Sequence, residues 1–239
     1  MDKISEVCRK EFIMKALVLL SGGLDSSTCL ALAVKEYGAE NVIALSLSYG
    51  QKHIREIKAA EDVAKHYGVE LMTYDVKDIF KGSECTLLDG NEDVPAESYA
   101  AQIQRLNGKP VSTYVPFRNG LFLAVAASMA ISKGCGVIYY AAHKDDAAGN
   151  AYPDCSIEFH TAMTKAIETG SDKAVTICDP FIDKTKADIV KIGTELKVPY
   201  QKTWSCYKGG DKPCGRCGTC IDRIKAFELN GIKDPLKYN

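Results

Sequence analysis

Ala16-Leu17-Val18-Leu19-Leu20-Ser21-Gly22-Gly23-Leu24-Asp25-Ser26-Ser27 is the stretch on which the reading of this 239-residue chain turns. Ala16–Leu20 is a short apolar run of the kind that makes a buried strand. From Ser26 to Tyr37 the pattern is helical, and Gly38 stops it. Between the two, Gly22 and Gly23 let the main chain turn sharply and expose its N–H groups. The first turn of the helix beyond adds N–H donors without intrahelical acceptors and a partial positive charge. Ser21, Ser26 and Ser27 add hydroxyls. Residues Leu20 to Ser27, with Leu24 and Asp25 inside the loop, are therefore expected to cradle an anion with several oxygens.

Outward from this loop, strand-like and helical runs alternate. Val42–Leu47 and Glu70–Tyr74 read as strands. His53–Tyr67 between them reads as a helix, with Ile54, Ile57, Ala60, Ala64 and Tyr67 on one period and Gly68 at its end. Phe80–Thr113 breaks the rhythm with Gly82, Gly90, Pro95, Gly108 and Pro110, and reads as an excursion with a short helix near Ser98–Arg105. Asn119–Ser132, Ser156–Glu168, Thr185–Leu196 and Ile221–Asn230 read as helices, Val137–Ala141 and Val175–Cys178 as strands. Strands separated by helices imply parallel βαβ units, and near-continuous apolar strands fit a sheet covered on both faces. The expected fold is α/β, a doubly wound, mostly parallel sheet. Ligands in such sheets sit outside the carboxyl ends of the strands, which would gather the loops at Ser21, Ser48, Ala142 and Asp179 around one crevice.

The composition is ordinary for a globular chain, 46% hydrophobic and 26% charged, which argues against wholesale disorder. With 30 Lys+Arg against 31 Asp+Glu the formal net charge is −1. No global cationic field draws in a polyphosphate backbone, so a nucleic-acid partner is not expected. The longest apolar stretch, Leu121–Ile131, is interrupted by Ser128 and is far short of the roughly 18 residues of a spanning helix, so no membrane partner is expected either. Met1–Ile13 is mixed and charged, and the run after it is too short for the core of a signal peptide. Residues 1–14 are therefore expected to be a flexible leader and the protein to be cytoplasmic.

Of ten cysteines, six are scattered and read as reduced thiols. Cys206, Cys214, Cys217 and Cys220 are clustered as C-x7-C-x2-C-x2-C, with Gly209, Gly210, Gly215 and Gly218 providing turns. Four thiolates can close a tetrahedral, structural zinc site, one Zn2+ per chain. An iron–sulfur cluster is the main rival, although the ferredoxin run places its fourth cysteine downstream; unliganded thiols are the third reading. With zinc, Trp204–Asp222 becomes a small fixed module, and Trp204 and Tyr207 pack beside it rather than bind substrate. The chain then divides into residues 15–202, the α/β domain that carries the anion-cradling loop, and 203–239, a zinc module packed on it.

No G-x-x-x-x-G-K-[ST] occurs, and no G-x-G-x-x-G follows a strand. The loop instead resembles the S-G-G-x-D-S signature of the PP-loop ATP pyrophosphatases, whose fold is the adenine nucleotide alpha hydrolase-like one. That resemblance implies ATP, with Mg2+, as cosubstrate and adenylation of an oxygen nucleophile. The logic is sound: a carboxylate is a poor electrophile at neutral pH, adenylation supplies a leaving group, and preorganised N–H donors meet the charge developing on phosphate. Asp25 is either a Mg2+ ligand or a helix cap.

Four further segments sharpen the resemblance: Tyr49-Gly50-Gln51-Lys52-His53, Val115-Pro116-Phe117-Arg118-Asn119, Tyr152-Pro153-Asp154-Cys155 and Thr203-Trp204-Ser205-Cys206. With the phosphate loop they are similar to the 7-cyano-7-deazaguanine synthases, from about Lys15 to Asp234. The resemblance implies a ligase that takes 7-carboxy-7-deazaguanine, ammonia and ATP to the nitrile through adenylated carboxylate and amide intermediates, in queuosine biosynthesis, and a homodimer. It implies catalytic roles for Asp25, Ser26, Arg118 and Lys186, and substrate contacts from Arg118, Asn119, Tyr152 and Asp154. Each has an alternative: a surface ion pair for Arg118, a helix cap for Asn119, a cap on the helix starting at Ser156 for Asp154, a solvated helix face for Lys186. His53 is open between a structural and a functional role. The loop Ala141–Cys155 departs from the family pattern, so His143, Asp145 and Asp146 take no role from the resemblance. A related ligase that stops at an amide or uses a macromolecular amine, a tRNA-modifying relative, and a non-catalytic nucleotide-binding module are the rival readings.

Overall fold

The computed structural model describes residues 14–52 and 55–239; residues 1–13 of the expected leader, and His53, lie outside them. In chain order the elements are β1 (Lys15–Leu19), α1 (Leu24–Tyr37), β2 (Val42–Ser48), α2 (Arg55–Tyr67), β3 (Glu70–Asp75), α3 (Tyr99–Leu106), α4 (Arg118–Lys133), β4 (Cys135–Tyr139), α5 (Lys144–Ala147), α6 (Ile157–Gly170), β5 (Thr176–Cys178), α7 (Lys186–Glu195) and α8 (Gly218–Leu229). The sheet order is β3-β2-β1-β4-β5 and every pairing is parallel. The chain adds strands on one side of β1 and then on the other, so the winding reverses between β1 and β4.

Successive strand side chains point to opposite faces, and β1 shows the consequence. Ala16 and Val18 enter one core, with Leu30 of α1, Val63 of α2, Ile189 of α7 and Phe227 of α8. Leu17 enters the other, with Leu123 and Ala126 of α4 and Ile167 of α6. All three β1 residues are fully buried, which is why the strand reads as an unbroken apolar run.

A third cluster ties the irregular excursion to the chain's end. Phe80, Cys85, Leu87, Leu88 and Val94 pack with Tyr49, Trp204, Cys206, Cys217 and Cys220. The excursion is therefore a wall built between the loop after β2 and the cysteine segment.

Two helix starts differ from the sequence reading. Helix α1 begins at Leu24, with Gly23 as N-cap and no side chain capping it. Helix α8 begins at Gly218, before the expected Ile221, so Cys220 lies in its first turn and Cys217 is its N-cap. Gly218 looked like a turn residue. Its smallness serves a close approach instead: a Cβ there would stand 3.1 Å from the Tyr99 ring. Among the described residues no helix is long and apolar enough to cross a membrane.

Candidate active site

A cavity of about 1210 Å³, counted out to its open mouth, lies at the carboxyl end of the sheet. Leu19 at the end of β1 and Leu20 after it, Leu45 and Leu47 of β2, and Tyr140 and Ala141 after β4 line it, which puts it at the strand reversal where doubly wound sheets take ligands. Ala142 and Asp179 lie behind it rather than on its wall: the Ala142 amide donates to Asp179 Oδ2 at 3.1 Å.

The phosphate loop forms one wall through Leu20, Ser21, Gly23, Leu24, Asp25 and Ser26. Its hydroxyls mostly hold its own shape. The Ser21 amide donates to Ser26 Oγ at 3.2 Å, the two hydroxyls share a hydrogen bond at 3.0 Å, and the Gly23 amide donates to Ser21 Oγ at 3.3 Å. The first-turn amides of Leu24, Asp25 and Ser26 have no intrahelical acceptor and stand on this wall. Ser27 faces away, fully buried, with no partner for its hydroxyl among the described residues. Gly22 also faces away, with φ +80, against α2; a Cβ there would lie 2.4 Å from the Ala60 nitrogen and 2.5 Å from the Glu56 carbonyl oxygen. The Gly22 carbonyl accepts from the Trp204 amide at 2.9 Å, tying the cysteine segment to the loop.

Asp25 does not cap α1. Its Oδ2 accepts from Lys186 Nζ at 2.8 Å, and its Oδ1 is buried without a hydrogen-bond partner among the described residues. Burial works against the charged Asp25 carboxylate, but the Lys186 charge, with His143 and Arg223 further off, outweighs it and holds the carboxyl below its usual range. Lys186 is the first residue of α7, and its side chain is 13% exposed, so the solvated-face alternative falls. Asp145 supports it by accepting from the Lys186 amide at 2.8 Å. His143, fully buried, puts Nε2 3.1 Å from Asp146 Oδ2 and 3.8 Å from Asp25 Oδ2. Asp146 reaches the cavity.

The far wall carries Arg118 and Asn119 at the start of α4. Arg118 is half-buried and lies over the Tyr49 ring, 5.1 Å from its centre, rather than in a surface ion pair. Asn119 is not the N-cap of α4; Phe117 is. The Asn119 amide donates to Asp154 Oδ2 at 2.8 Å, and its Nδ2 donates to the Asp154 carbonyl at 3.0 Å. Asp154, expected at a substrate edge, is 4% exposed and outside the cavity wall. It serves the start of α4, while Ser156 caps α6. Tyr152 is likewise behind the wall, its hydroxyl bonded to Thr113 at 2.6 Å and Tyr99 at 2.9 Å.

Glu56 of α2 shares the cavity wall with Tyr49, Gln51, Phe122 and Arg118. Burial pushes its carboxyl up to about 7, with Arg118 pulling the other way. In the sequence Glu56 lies off the apolar stripe of its helix, and no motif quoted above includes it. Trp204 and Tyr207 were expected only beside the cysteines; both pack there and also line the cavity. The Y-G-Q-x-H and T-W-S-C segments were the available signals for this wall.

The four clustered cysteines bring their sulfurs within 4.8 Å of one another. The amides of Cys214 and Lys208 donate to Cys206 Sγ at 3.3 and 3.4 Å, and the Cys217 amide donates to Cys214 Sγ at 3.3 Å. Amide donors around clustered sulfurs favour thiolates, the form that binds metal, so the segment fits a metal centre.

A parallel sheet of this order with its cavity at the reversal places the protein in the class of ligand-binding, doubly wound α/β proteins. Comparison with known proteins narrows the class. Residues 15–231 match the model of the family described as Queuosine biosynthesis protein QueC. The 7-cyano-7-deazaguanine synthase of Archaeoglobus fulgidus is 45% identical over 93% of this chain and 90% of its own length. Those of Thermoplasma acidophilum and Caldicellulosiruptor bescii are 45% and 40% identical, over 94% of this chain and 92% and 97% of theirs. The chain belongs to this family, the 7-cyano-7-deazaguanine synthases of queuosine biosynthesis. A similar solved structure is the U34-tRNA thiolase NcsA from Methanococcus maripaludis with its 4Fe–4S cluster, at TM-score 0.51 and 20% identity over 91% of this chain. This chain spans 66% of that protein, just under two thirds, and the likeness concerns the fold.

Proposed function

We propose that the cavity joins ATP and 7-carboxy-7-deazaguanine, adenylates the carboxylate, and lets ammonia displace AMP to give the amide. ATP then adenylates the amide oxygen in turn; AMP leaves carrying that oxygen while the amide nitrogen gives up its two protons, leaving the nitrile. One observation carries this reading: the Asp25–Lys186 pair stands on the same wall as the open first-turn amides of α1. Those amides take phosphate oxygens, and Lys186 balances charge that develops as pyrophosphate leaves. Leu20, Ser21, Gly22, Gly23 and Ser27 give the loop its shape, and Ser26 adds a hydroxyl. Arg118 meets the substrate carboxylate. Asn119 stands beside it, held by Asp154, and Tyr152 braces the wall from behind.

The buried, unpartnered Oδ1 of Asp25 suits a hard cation. Mg2+ held there with the nucleotide would supply charge neutralisation on the phosphates.

For the cysteine segment we propose one structural Zn2+ per chain in a module of residues 203–239 packed on the ATP-binding domain, residues 15–202. The close sulfur spacing supports it: four thiolates on one ion at about 2.3 Å each stand close together, whereas a cuboidal cluster spreads them to its corners. A metal with all four positions taken by sulfur holds the wall and leaves the chemistry to the cavity.

The test is incubation with 7-carboxy-7-deazaguanine, ATP, Mg2+ and ammonium, with mass analysis of the base and the nucleotide. The nitrile with AMP is expected. Amide alone would move the protein to the amide-forming relatives, and no turnover of either substrate would overturn the reading.

A further inference from the structure

Among the described residues three acidic side chains line the cavity: Asp25, Asp146 and Glu56. Asp25 accepts from Lys186 at 2.8 Å, and Asp146 Oδ2 stands 3.1 Å from His143 Nε2. Glu56 forms no ion pair or hydrogen bond among the described residues, although burial makes its charge costly. A carboxylate kept on a desolvated wall with no hydrogen-bond partner among the described residues is a group that waits for donors.

Resting on the deazaguanine reading above, we propose that Glu56 is the specificity residue for the base, its carboxylate accepting from the ring N–H and the exocyclic amino group of the guanine-type edge. The chemistry is particular. A guanine edge sets two donors side by side, matching the two oxygens of one carboxylate. An adenine edge sets one donor beside a ring nitrogen acceptor, so the second oxygen faces a lone pair. Glu56 therefore draws the deazaguanine to its wall and turns adenine away from it.

The surroundings suit a flat bicycle. Tyr49, Phe122 and Trp204 share the wall. Gln51, also on it, has its Oε1 engaged by the Tyr49 amide at 2.9 Å, which leaves its Nε2 as a donor for the guanine carbonyl. The position is also fixed relative to the phosphates. The Glu56 carbonyl would lie 2.5 Å from a Cβ on Gly22, so the stretch of α2 that carries the reader touches the back of the phosphate loop.

The experiment measures binding without ATP, by calorimetry at pH 8, of 7-carboxy-7-deazaguanine and of the same base lacking its 2-amino group. The proteins are wild type, Glu56→Gln and Glu56→Asp, with ATP affinity as the control. Wild type is expected to prefer the 2-amino base by at least about tenfold, the scale of one lost hydrogen bond to a charged group. Glu56→Gln is expected to lose that preference with ATP affinity unchanged, and Glu56→Asp to keep part of it. Retention of the wild-type preference in Glu56→Gln overturns the assignment and leaves the deazaguanine reading standing. Failure of wild type to bind either base overturns both.

Discussion

Lys186 Nζ donates to Asp25 Oδ2 at 2.8 Å across a separation of 161 residues, joining the starts of α1 and α7 at the mouth of the sheet. The partnership leaves one Asp25 oxygen bonded and the other bare. The pair thus carries opposite charges to the same spot, one suited to a cation and the other to phosphate.

Asp25→Ala removes the only carboxylate of the phosphate loop without touching the cores. Turnover with ATP is expected to fall at least about 100-fold, the scale seen when a group stabilising developing charge is lost. The far-ultraviolet dichroism should not change. Normal turnover in this variant would remove the loop from the chemistry.

Cys217 is fully buried at the start of α8, and its sulfur sits among three others. Cys217→Ser is expected to lose zinc and stability together, because metal binding is coupled to folding of the segment that supplies the ligands. Metal analysis and a melting curve check it. A zinc-free variant with an unchanged Tm would contradict a structural metal.

The sheet was legible because its strands are buried on both faces: Ala16, Leu17 and Val18 have no alternative to a core. The phosphate loop was legible because its glycines and serines have few other uses at a strand–helix junction. The rest depended on contacts far apart in the chain. Asp154 looked like a substrate residue, and only the approach of α4 shows its carboxylate spent on the Asn119 amide. Glu56 lies off the apolar stripe of its helix, and nothing in that spacing shows that its side chain reaches the cavity. His143 stands between Asp146 and Asp25 on a loop whose pattern departs from the family's.

Glu56 makes the empty site a cost that depends on pH. Its carboxyl is raised from the usual 4.5 to about 7. Below 4.5 it is protonated in folded and unfolded chains alike and costs nothing. As pH rises from 4.5 to about 7 the unfolded chain ionises first, so the folded state loses stability, and above 7 the loss is complete. Glu56→Gln does not titrate. The difference in Tm between it and wild type should therefore move in the variant's favour between pH 5 and pH 8, on the order of 5 °C. Parallel melting curves in the absence of ligand check this; a gap that is flat or shrinks would show Glu56 to be solvated.

Gly22→Ala tests whether the loop and α2 act as one body. At φ +80 any side chain is strained. Here the obstacle is main chain as well, since the new methyl would meet the Ala60 nitrogen at 2.4 Å and the Glu56 carbonyl at 2.5 Å. Backbone on a helix cannot rotate aside as a side chain does, so either the loop or α2 must shift. A loss of about 1–3 kcal/mol of stability is expected, with weaker ATP binding because the amides of Leu24 and Asp25 are carried off their aim. Deazaguanine binding should weaken with it, since Glu56 rides on the displaced helix. Calorimetric titration of each ligand separates the effects: loss of ATP affinity alone would mean that the two walls move independently.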